Sequence, residues 1–398
     1  MIGVGIARNT LATIGRMVRG ARSEPAVSDL NFFFSTAALG GAERVHADIV
    51  AAINHPSSTV FFTEKAKESP LRAEFERFAK IEDISDDTAS RMRFYLRIGS
   101  IAAAINAQAS PLVFGGFSYF FYRLLPRLGP HVRCIDLLHN FGGGFEQLGL
   151  ANVARLNDRI FISFRTFADV LKQYREHGVS EQYTQRMQVI ENCCDVPAIP
   201  PVKDSGPLRV LFVGRGSPEK RVHLAGEVAR RVRETLADAE FTFVGDVQHC
   251  VREADRAACN FTGPIFDTAP LRGLYARTHV LLLTSDKEGF PLVIMEAMAQ
   301  GCVPLSADVG GIRYRVRDGK NGFLFAPENE AALVQALVAR LLDLAEDRPR
   351  LASLGQAAHA TAFKYFRRER FRAAYRALFF GEPGPDGYPV RQMISTHD

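Results

Sequence analysis

Twice along this chain, short runs of bulky apolar residues alternate with stretches of helical spacing, and a proline-rich segment separates the two series. In the first series "LNFFFS" (Leu30–Ser35) reads as a buried strand and "GGAERVHADIVAAIN" as a glycine turn running into a helix. "STVFFTE" (Ser58–Glu64) is a second strand and a helix covers roughly 88–107; "PLVFGG", "VRCIDLLHN" and "RIFIS" are further strands, and "QVIENCCDV" closes the half. The segment "PAIPPVKDSGP" (Pro197–Pro207) has no periodicity and reads as a linker. The second series runs "LRVLFVG", a helix over about 222–235, "EFTFVG", "HVLLLTS", another helix and "VPLSA". A short strand that is apolar throughout is covered on both faces, and a helix between two such strands is the usual crossover of a parallel sheet. The pattern predicts an α/β fold of two facing Rossmann-like domains with a cleft between them, where ligands bind at the C-terminal strand ends. The expected boundaries are an N-terminal basic extension (1–27), a first domain (28–200), a second domain (207–362), a last helix (363–380) and a tail (381–398).

The length of 398 residues also argues for two cores. Composition is that of a folded globular chain, 47% hydrophobic and 23% charged, and no apolar run is long enough to span a bilayer. The net charge of +5 suits a phosphate-bearing ligand, an anionic membrane surface or nucleic acid without choosing among them, and no dedicated nucleic-acid motif is present. Six cysteines form no C-x-x-C and no zinc spacing with histidine, so free thiols in a reducing compartment are expected. The first 27 residues carry Arg8, Arg16, Arg19 and Arg22 with no acid before Glu24. A basic amphipathic helix on anionic lipid, a transit-like leader and a loosely docked extension all fit them.

Four stretches carry chemistry. "SDKEGFPLVIMEAMAQGCVP" (Ser285–Pro304) places Glu288 before a Gly-Phe-Pro turn and Glu296 inside a helix that is apolar almost all round. Pro291 suits the first helical turn and Gly301 the C-terminal cap. Two carboxylates held so close to a buried helix call for a ligand rich in hydroxyl donors, such as a sugar or a ribose. The start of this helix favours an anion, by about 0.3–1 kcal/mol and up to about 2 kcal/mol when partly buried. The plainer reading is a Glu288 that complements the dipole and a Glu296 paired with an arginine. In "VLFVGRGSPEKR" a strand end is followed by Arg215 and Lys220, two cations placed where a diphosphate would lie. Their alternative is two surface cations at a turn, and Glu219 stands where a dinucleotide fingerprint needs its third glycine. In "LGGAERV" Gly40 and Gly41 let backbone approach a ligand, or simply make a tight turn. His139, in "DLLHNFGGGF", ends a strand before a glycine-rich loop and is either a ligand contact or a structural histidine.

Together these stretches resemble the retaining glycosyltransferases of family four, with the GT-B fold and an E-x7-E signature met here by Glu288 and Glu296. The resemblance runs from about Leu30 to Phe380 and includes "GGAER" and "VGRGSPEKR". It implies that the first domain is the acceptor side, that the second holds the nucleotide-sugar donor, and that the last helix crosses back to the first domain. It implies residue roles as well. Arg215 and Lys220 would hold the diphosphate, and Glu288 the hydroxyls of the transferred sugar, with the backbone of Gly289 and Phe290 beside them. Glu296 would bind the ribose, Ile265 would lie near the base, Gly41 would bring its backbone to the donor phosphates, and His139 would contact the donor sugar. Two departures stand out: Cys193 replaces the glycine of an asparagine-glycine turn, and Tyr314 stands where the family usually has a glutamate.

The expected function is therefore transfer, with retention, of a sugar from a nucleoside-diphosphate sugar, UDP- or GDP-linked, to a hydroxyl acceptor in cell-surface glycan or glycolipid biosynthesis. The protein cations would stabilise the leaving diphosphate, so no cofactor or metal is expected. Closure about the proline-rich segment would exclude water. The acceptor would be a glycan or a lipid-linked glycan. Arg91, Arg93 and Arg97 on one predicted helix, with the aromatic stretch "FGGFSYFFYRLLPRL" (Phe114–Leu128), suit peripheral contact at the inner face of a membrane by a cytoplasmic protein. An ordinary core and a solvated helix face would explain the same residues. The rival functions are a nucleotide-sugar-binding protein without transferase activity and a sugar-nucleotide epimerase.

Overall fold

The computed structural model describes residues 25–38, 40–326 and 328–384. The expected basic extension up to residue 24 and the tail from 385 on lie outside the described residues. The chain divides into two compact units, one running to Ile190 and resuming at Phe371, the other spanning Glu191–Arg370.

Unit 1 is a seven-stranded parallel sheet of β1 (Leu30–Phe34), β2 (Ser58–Phe62), β3 (Lys80–Asp83), β4 (Leu112–Gly116), β5 (Arg133–Leu138), β6 (Asp158–Phe161) and β7 (Met187–Val189), in the order β3-β2-β1-β4-β5-β6-β7. Its crossovers include α1 (Gly41–Ile53), α2 (Arg91–Asn106) and α3 (Phe164–Glu176). Unit 2 is a six-stranded parallel sheet of β8 (Arg209–Val213), β9 (Glu240–Val244), β10 (Asn260–Gly263), β11 (Val280–Leu283), β12 (Val303–Ala307) and β13 (Phe323–Phe325), in the order β10-β9-β8-β11-β12-β13. Among its helices are α4 (Val222–Thr235), α5 (Thr268–Arg277), α6 (Leu292–Ala299), α7 (Glu330–Glu346) and α8 (Arg348–Tyr365); α9 (Arg368–Phe380) follows. In both sheets the strand order reverses direction once, between β1 and β4 and between β8 and β11. The loops leaving such a point diverge and open a crevice at the strand C-termini, so these two points are where ligand sites are expected.

The strands read from sequence are central ones, because residues buried on both faces must be apolar throughout. All five residues of β1 are buried, and Phe33 stacks on Phe61 of β2 at 4.6 Å. β3, β10 and β13 were not legible, and all three lie at sheet edges. "KIED" and "NFTG" there are half-exposed and lack the apolar density of the inner strands.

Three expectations change. The helix expected over 88–107 begins at Arg91, after a separate turn of helix at Ser85–Thr88. The last helix is broken between α8 and α9: the Cys194 N–H donates to the Phe366 carbonyl at 2.9 Å, and Cys194 bridges to Arg367 as a parallel β-bridge. The division between units falls before Glu191, upstream of the proline-rich segment, so that segment is no free joint. The Lys203 ammonium donates to the carbonyls of Tyr275 and Ala276 at 2.8 and 2.7 Å, and the His359 ring lies 2.8 Å from the Pro197 carbonyl. These bonds fix it to unit 2.

Candidate active site

At the switch point of unit 2 two loops meet. The loop after β8 carries Arg215, which is exposed, and a turn of 3-10 helix, Pro218–Lys220. The loop after β11 carries Glu288. The Lys220 ammonium lies 2.6 Å from Glu288 Oε1, with the lysine side chain 20% exposed and the glutamate 9%. Glu288 is thus not a bare complement to a helix start; its partner comes from the other loop. Arg221 locks the arrangement. It adopts a left-handed backbone conformation at φ 45°, and its guanidinium donates to the carbonyls of Thr284 and Ser285 at 2.7 and 3.2 Å. The Thr284 hydroxyl returns a bond to the Lys220 carbonyl at 2.9 Å, and the Asp286 N–H donates to the Glu219 carbonyl at 2.9 Å.

The Glu288 loop is held from its other side by Gly310 and Gly311. Gly310 sits at φ 58°, and a Cβ there would lie 1.9 Å from the Glu288 carbonyl oxygen, so only glycine fits. The Gly311 N–H donates to the Gly289 carbonyl at 2.6 Å. Phe290 is buried and its ring packs on Phe366 at 5.5 Å. The N–H groups of Gly289 and Phe290 make no hydrogen bond among the described residues. Pro291 occupies the N-cap of α6 rather than its first turn. Gly301 ends α6 as expected. At φ 72° its N–H donates to the Met298 carbonyl, while the Cys302 N–H donates to that of Ala297, the paired bonds of a Schellman cap.

Ile294, Met295, Ala297, Met298 and Ala299 are buried, while Glu296 is half-buried. Its Oε2 accepts from the Tyr275 hydroxyl of α5 at 3.1 Å. Burial first, and then the Glu296 charge, push the Tyr275 hydroxyl far above its ordinary pKa, so it stays a donor. Ile265, after β10, packs partly buried on the core that holds α6. Tyr314 ends a single 3-10 turn directly after Gly311.

Unit 1 brings different chemistry to its switch point. Gly41 is the first residue of α1, and Gly40 before it has extended backbone at φ −165°, which any residue can adopt; what the glycines give there is room. His139 follows β5, and its Nε2 lies 2.9 Å from Nε2 of His46 on α1. Both rings are buried. Burial holds the His139 imidazole down to about 3, and burial with the neighbouring ring holds that of His46 well below its usual value. Both are therefore neutral at physiological pH.

Unit 2 thus joins Lys220 to Glu288 and sets Glu296 one helix behind them, with Arg215 on the same strand-end loop. Within unit 1, His139 touches α1 at His46, five residues after Gly41. The sequence did not reveal His46, Tyr275, Arg221 or Gly310. Only His46 leaves a signal, as one polar residue on the buried face of "VHADIVAAI". Among the described residues, no group of three or more His, Cys, Asp or Glu gathers as a metal site.

The decisive comparison concerns the unit that holds the pair. Residues 207–343 match the family described as glycosyl transferases group 1. A sulfoquinovosyl transferase of Arabidopsis thaliana is 29% identical over 228 residues, 55% of this chain and 42% of that protein. The amylovoran biosynthesis glycosyltransferase AmsK of Erwinia amylovora is 28% identical over 43% of this chain and 44% of its own. The chain spans less than half the length of these curated relatives. The fold is that of GT-B glycosyltransferases. Anabaena HepE, solved with UDP, superposes with a TM-score of 0.68 at 18% identity, covering 86% of this chain and 97% of that one. The lipopolysaccharide outer core galactosyltransferase WaaB gives 0.66 at 19% identity, covering 88% and 99%.

Proposed function

We propose that this protein transfers a sugar from a nucleoside-diphosphate sugar to a hydroxyl acceptor, with retention at the anomeric carbon. The observation that carries the reading is the 2.6 Å Lys220–Glu288 contact at the unit 2 switch point, inside the region that matches the glycosyl transferases group 1 family. A pair of this kind is poised for exchange. An incoming diphosphate takes Lys220 and Arg215, and Glu288 is released to accept from sugar hydroxyls. As the bond from the anomeric carbon to the diphosphate breaks, negative charge grows on the leaving oxygen. Lys220, Arg215, the Gly289 and Phe290 amides and the start of α6 then stabilise that charge where it develops. Glu296, steadied by Tyr275, accepts from the ribose hydroxyls; Ile265 lies near the base, and Gly41 near the phosphates. His139 contacts the transferred sugar. The proposal includes no metal, since the protein cations supply the charge.

HepE has been solved with UDP and with UDP-glucose, which makes a UDP-sugar the first donor to test. WaaB and AmsK act in lipopolysaccharide and amylovoran synthesis by their descriptions, which favours a cell-surface glycan or glycolipid acceptor. Peripheral membrane contact has narrower support than the sequence suggested. In the aromatic stretch Phe114, Phe120, Phe121, Tyr122, Leu124, Leu125 and Leu128 are core, and Arg97 pairs with Asp87 at 3.5 Å. Met92, Tyr119 and Arg91 are left exposed. Among the described residues no helix is long and apolar enough to cross a membrane.

The test is a thermal-shift screen of the purified chain with UDP, GDP, ADP, CMP and common nucleotide sugars, followed by product analysis. A ligand at a hundredfold excess over its dissociation constant stabilises the folded state by about 2.7 kcal/mol. A shift with one nucleoside diphosphate and its sugars, then glycoside formed on an added acceptor, is the expected result. Conversion of the donor without any acceptor would mean an epimerase. No shift with any of them, from folded protein, would overturn the reading.

A further inference from the structure

His46 and His139 are the only pair of imidazoles facing each other among the described residues, and their surroundings restrict both rings. His46 is stacked flat on Phe34, centroids 4.1 Å apart and planes 9° from parallel. Gly116 leaves room for it: a Cβ at that position would stand 2.8 Å from His46 Nε2. Phe117, held at φ 49°, packs its ring 4.9 Å from that of His139 on the other side. Neither ring can turn without displacing a phenylalanine.

Two neutral imidazoles 2.9 Å apart share one proton between their facing nitrogens. The other nitrogen of His46, Nδ1, is buried and has no hydrogen-bond partner among the described residues. If His139 were the donor, His46 would have to carry its own proton on Nδ1, leaving a buried N–H with nothing to bond. If His46 is the donor, Nδ1 is a bare lone pair. Orphaned buried N–H groups are rarer in folded proteins than under-used acceptors. We propose that His46 fixes the tautomer of His139: Nε2–H of His46 donates to Nε2 of His139, so that His139 carries its proton on Nδ1. With Nε2 committed, the one polar atom His139 can offer a ligand is an N–H donor. It orients an oxygen of the transferred sugar and takes no proton from it, which rests on the reading of sugar transfer given above. His46 is a positioning residue, acting through its neighbour.

The experiment is long-range proton–nitrogen NMR on the full chain labelled with 15N-histidine, with His139 assigned by its absence from a His139→Gln variant. The expected spectrum shows His139 with a protonated Nδ1 and an unprotonated Nε2. His46→Gln, whose amide can still donate, keeps that pattern; His46→Leu, which cannot, shifts it toward Nε2 protonation. In turnover, His46→Leu lowers kcat about tenfold with donor KM changed less than about threefold, and His46→Gln recovers most of the loss. Nε2-protonated His139 in the unsubstituted protein overturns the proposal, whether or not any variant folds. A shifted tautomer in His46→Leu with unchanged kcat overturns the positioning role. The expected spectrum in a protein that turns over no nucleotide sugar supports the ring assignment and instead removes the transferase reading.

Discussion

At the strand ends of unit 2, Lys220 and Glu288 meet as a charged pair with a fifth of the lysine side chain still in solvent; at those of unit 1, His46 and His139 meet as two neutral rings, His46 wholly enclosed. A third pair lies deeper in unit 1. Asp136 and Arg159 are 0% and 2% exposed and lie 3.0 Å apart. Tyr122 donates to Asp136 at 3.0 Å, and Arg159 donates to the Tyr174 hydroxyl at 2.9 Å. The contrast shows how to separate a structural ion pair from one available to a ligand. In the deep pair the carboxylate and the guanidinium have gathered further partners, because a buried charge without them costs several kcal/mol. The Lys220–Glu288 pair keeps a fifth of the lysine side chain in solvent, so its bonds can be exchanged at low cost.

The largest effect should follow from breaking the deep pair. Asp136→Ala leaves Arg159 buried without its carboxylate and should cost about 3–5 kcal/mol in urea denaturation. A cost below about 1 kcal/mol would mean that the pair is no more structural than one on the surface. Lys220→Ala is the counterpart: about a hundred- to a thousandfold lower kcat, as for a lost oxyanion donor, with a denaturation midpoint close to that of the unsubstituted protein. If it unfolds the protein and spares turnover in what remains, the two pairs have been assigned the wrong way round.

The histidine pair gives a pH signature. Both folded pKa values lie below the unfolded value near 6.5, so between that value and the folded ones the unfolded chain binds more protons. Stability is then fully present above about pH 6.5 and declines as the pH falls, by up to about 1.4 kcal/mol per unit for each ring. Denaturation midpoints at pH 7 and pH 5 should show it, and His46→Gln should make the decline shallower. An identical slope in that variant would mean the pair does not set it.

Smaller effects distinguish the two glutamates. Glu296→Ala should weaken nucleoside-diphosphate binding about tenfold, the worth of one charge-assisted hydrogen bond, with kcat less affected. Tyr275→Phe should weaken it by about twofold to fivefold, since it removes only the group that orients Glu296. Calorimetric titration with UDP measures both. Equal effects of the two substitutions would place the tyrosine itself against the nucleotide.

The inner strands were legible because apolar runs such as "LNFFF" and "VLLL" have no other way to be satisfied, and the cap at Gly301 because its left-handed conformation favours glycine. Glu288 and Lys220 stood out as charges near strand ends, but their meeting did not. They lie 68 positions apart, and that distance closes only when β8 and β11 become neighbours at the switch point. The edge strands were hidden by their modest burial, and the proline-rich segment misled because its anchor, Lys203, donates to main-chain carbonyls that no side-chain pattern announces. His46 was not singled out, although it is a polar residue among the buried residues of its helix.

The Arg221 latch has a consequence for anyone wishing to redesign the donor preference. The segments 217–221 and 284–290 are stitched by five hydrogen bonds between main chain and side chain or main chain, so they are one module written in two places. Transplanting the second segment from a relative while keeping the first would import a loop without its template. A chimera should exchange both together, with Gly310 left in place as the floor on which the exchanged piece rests.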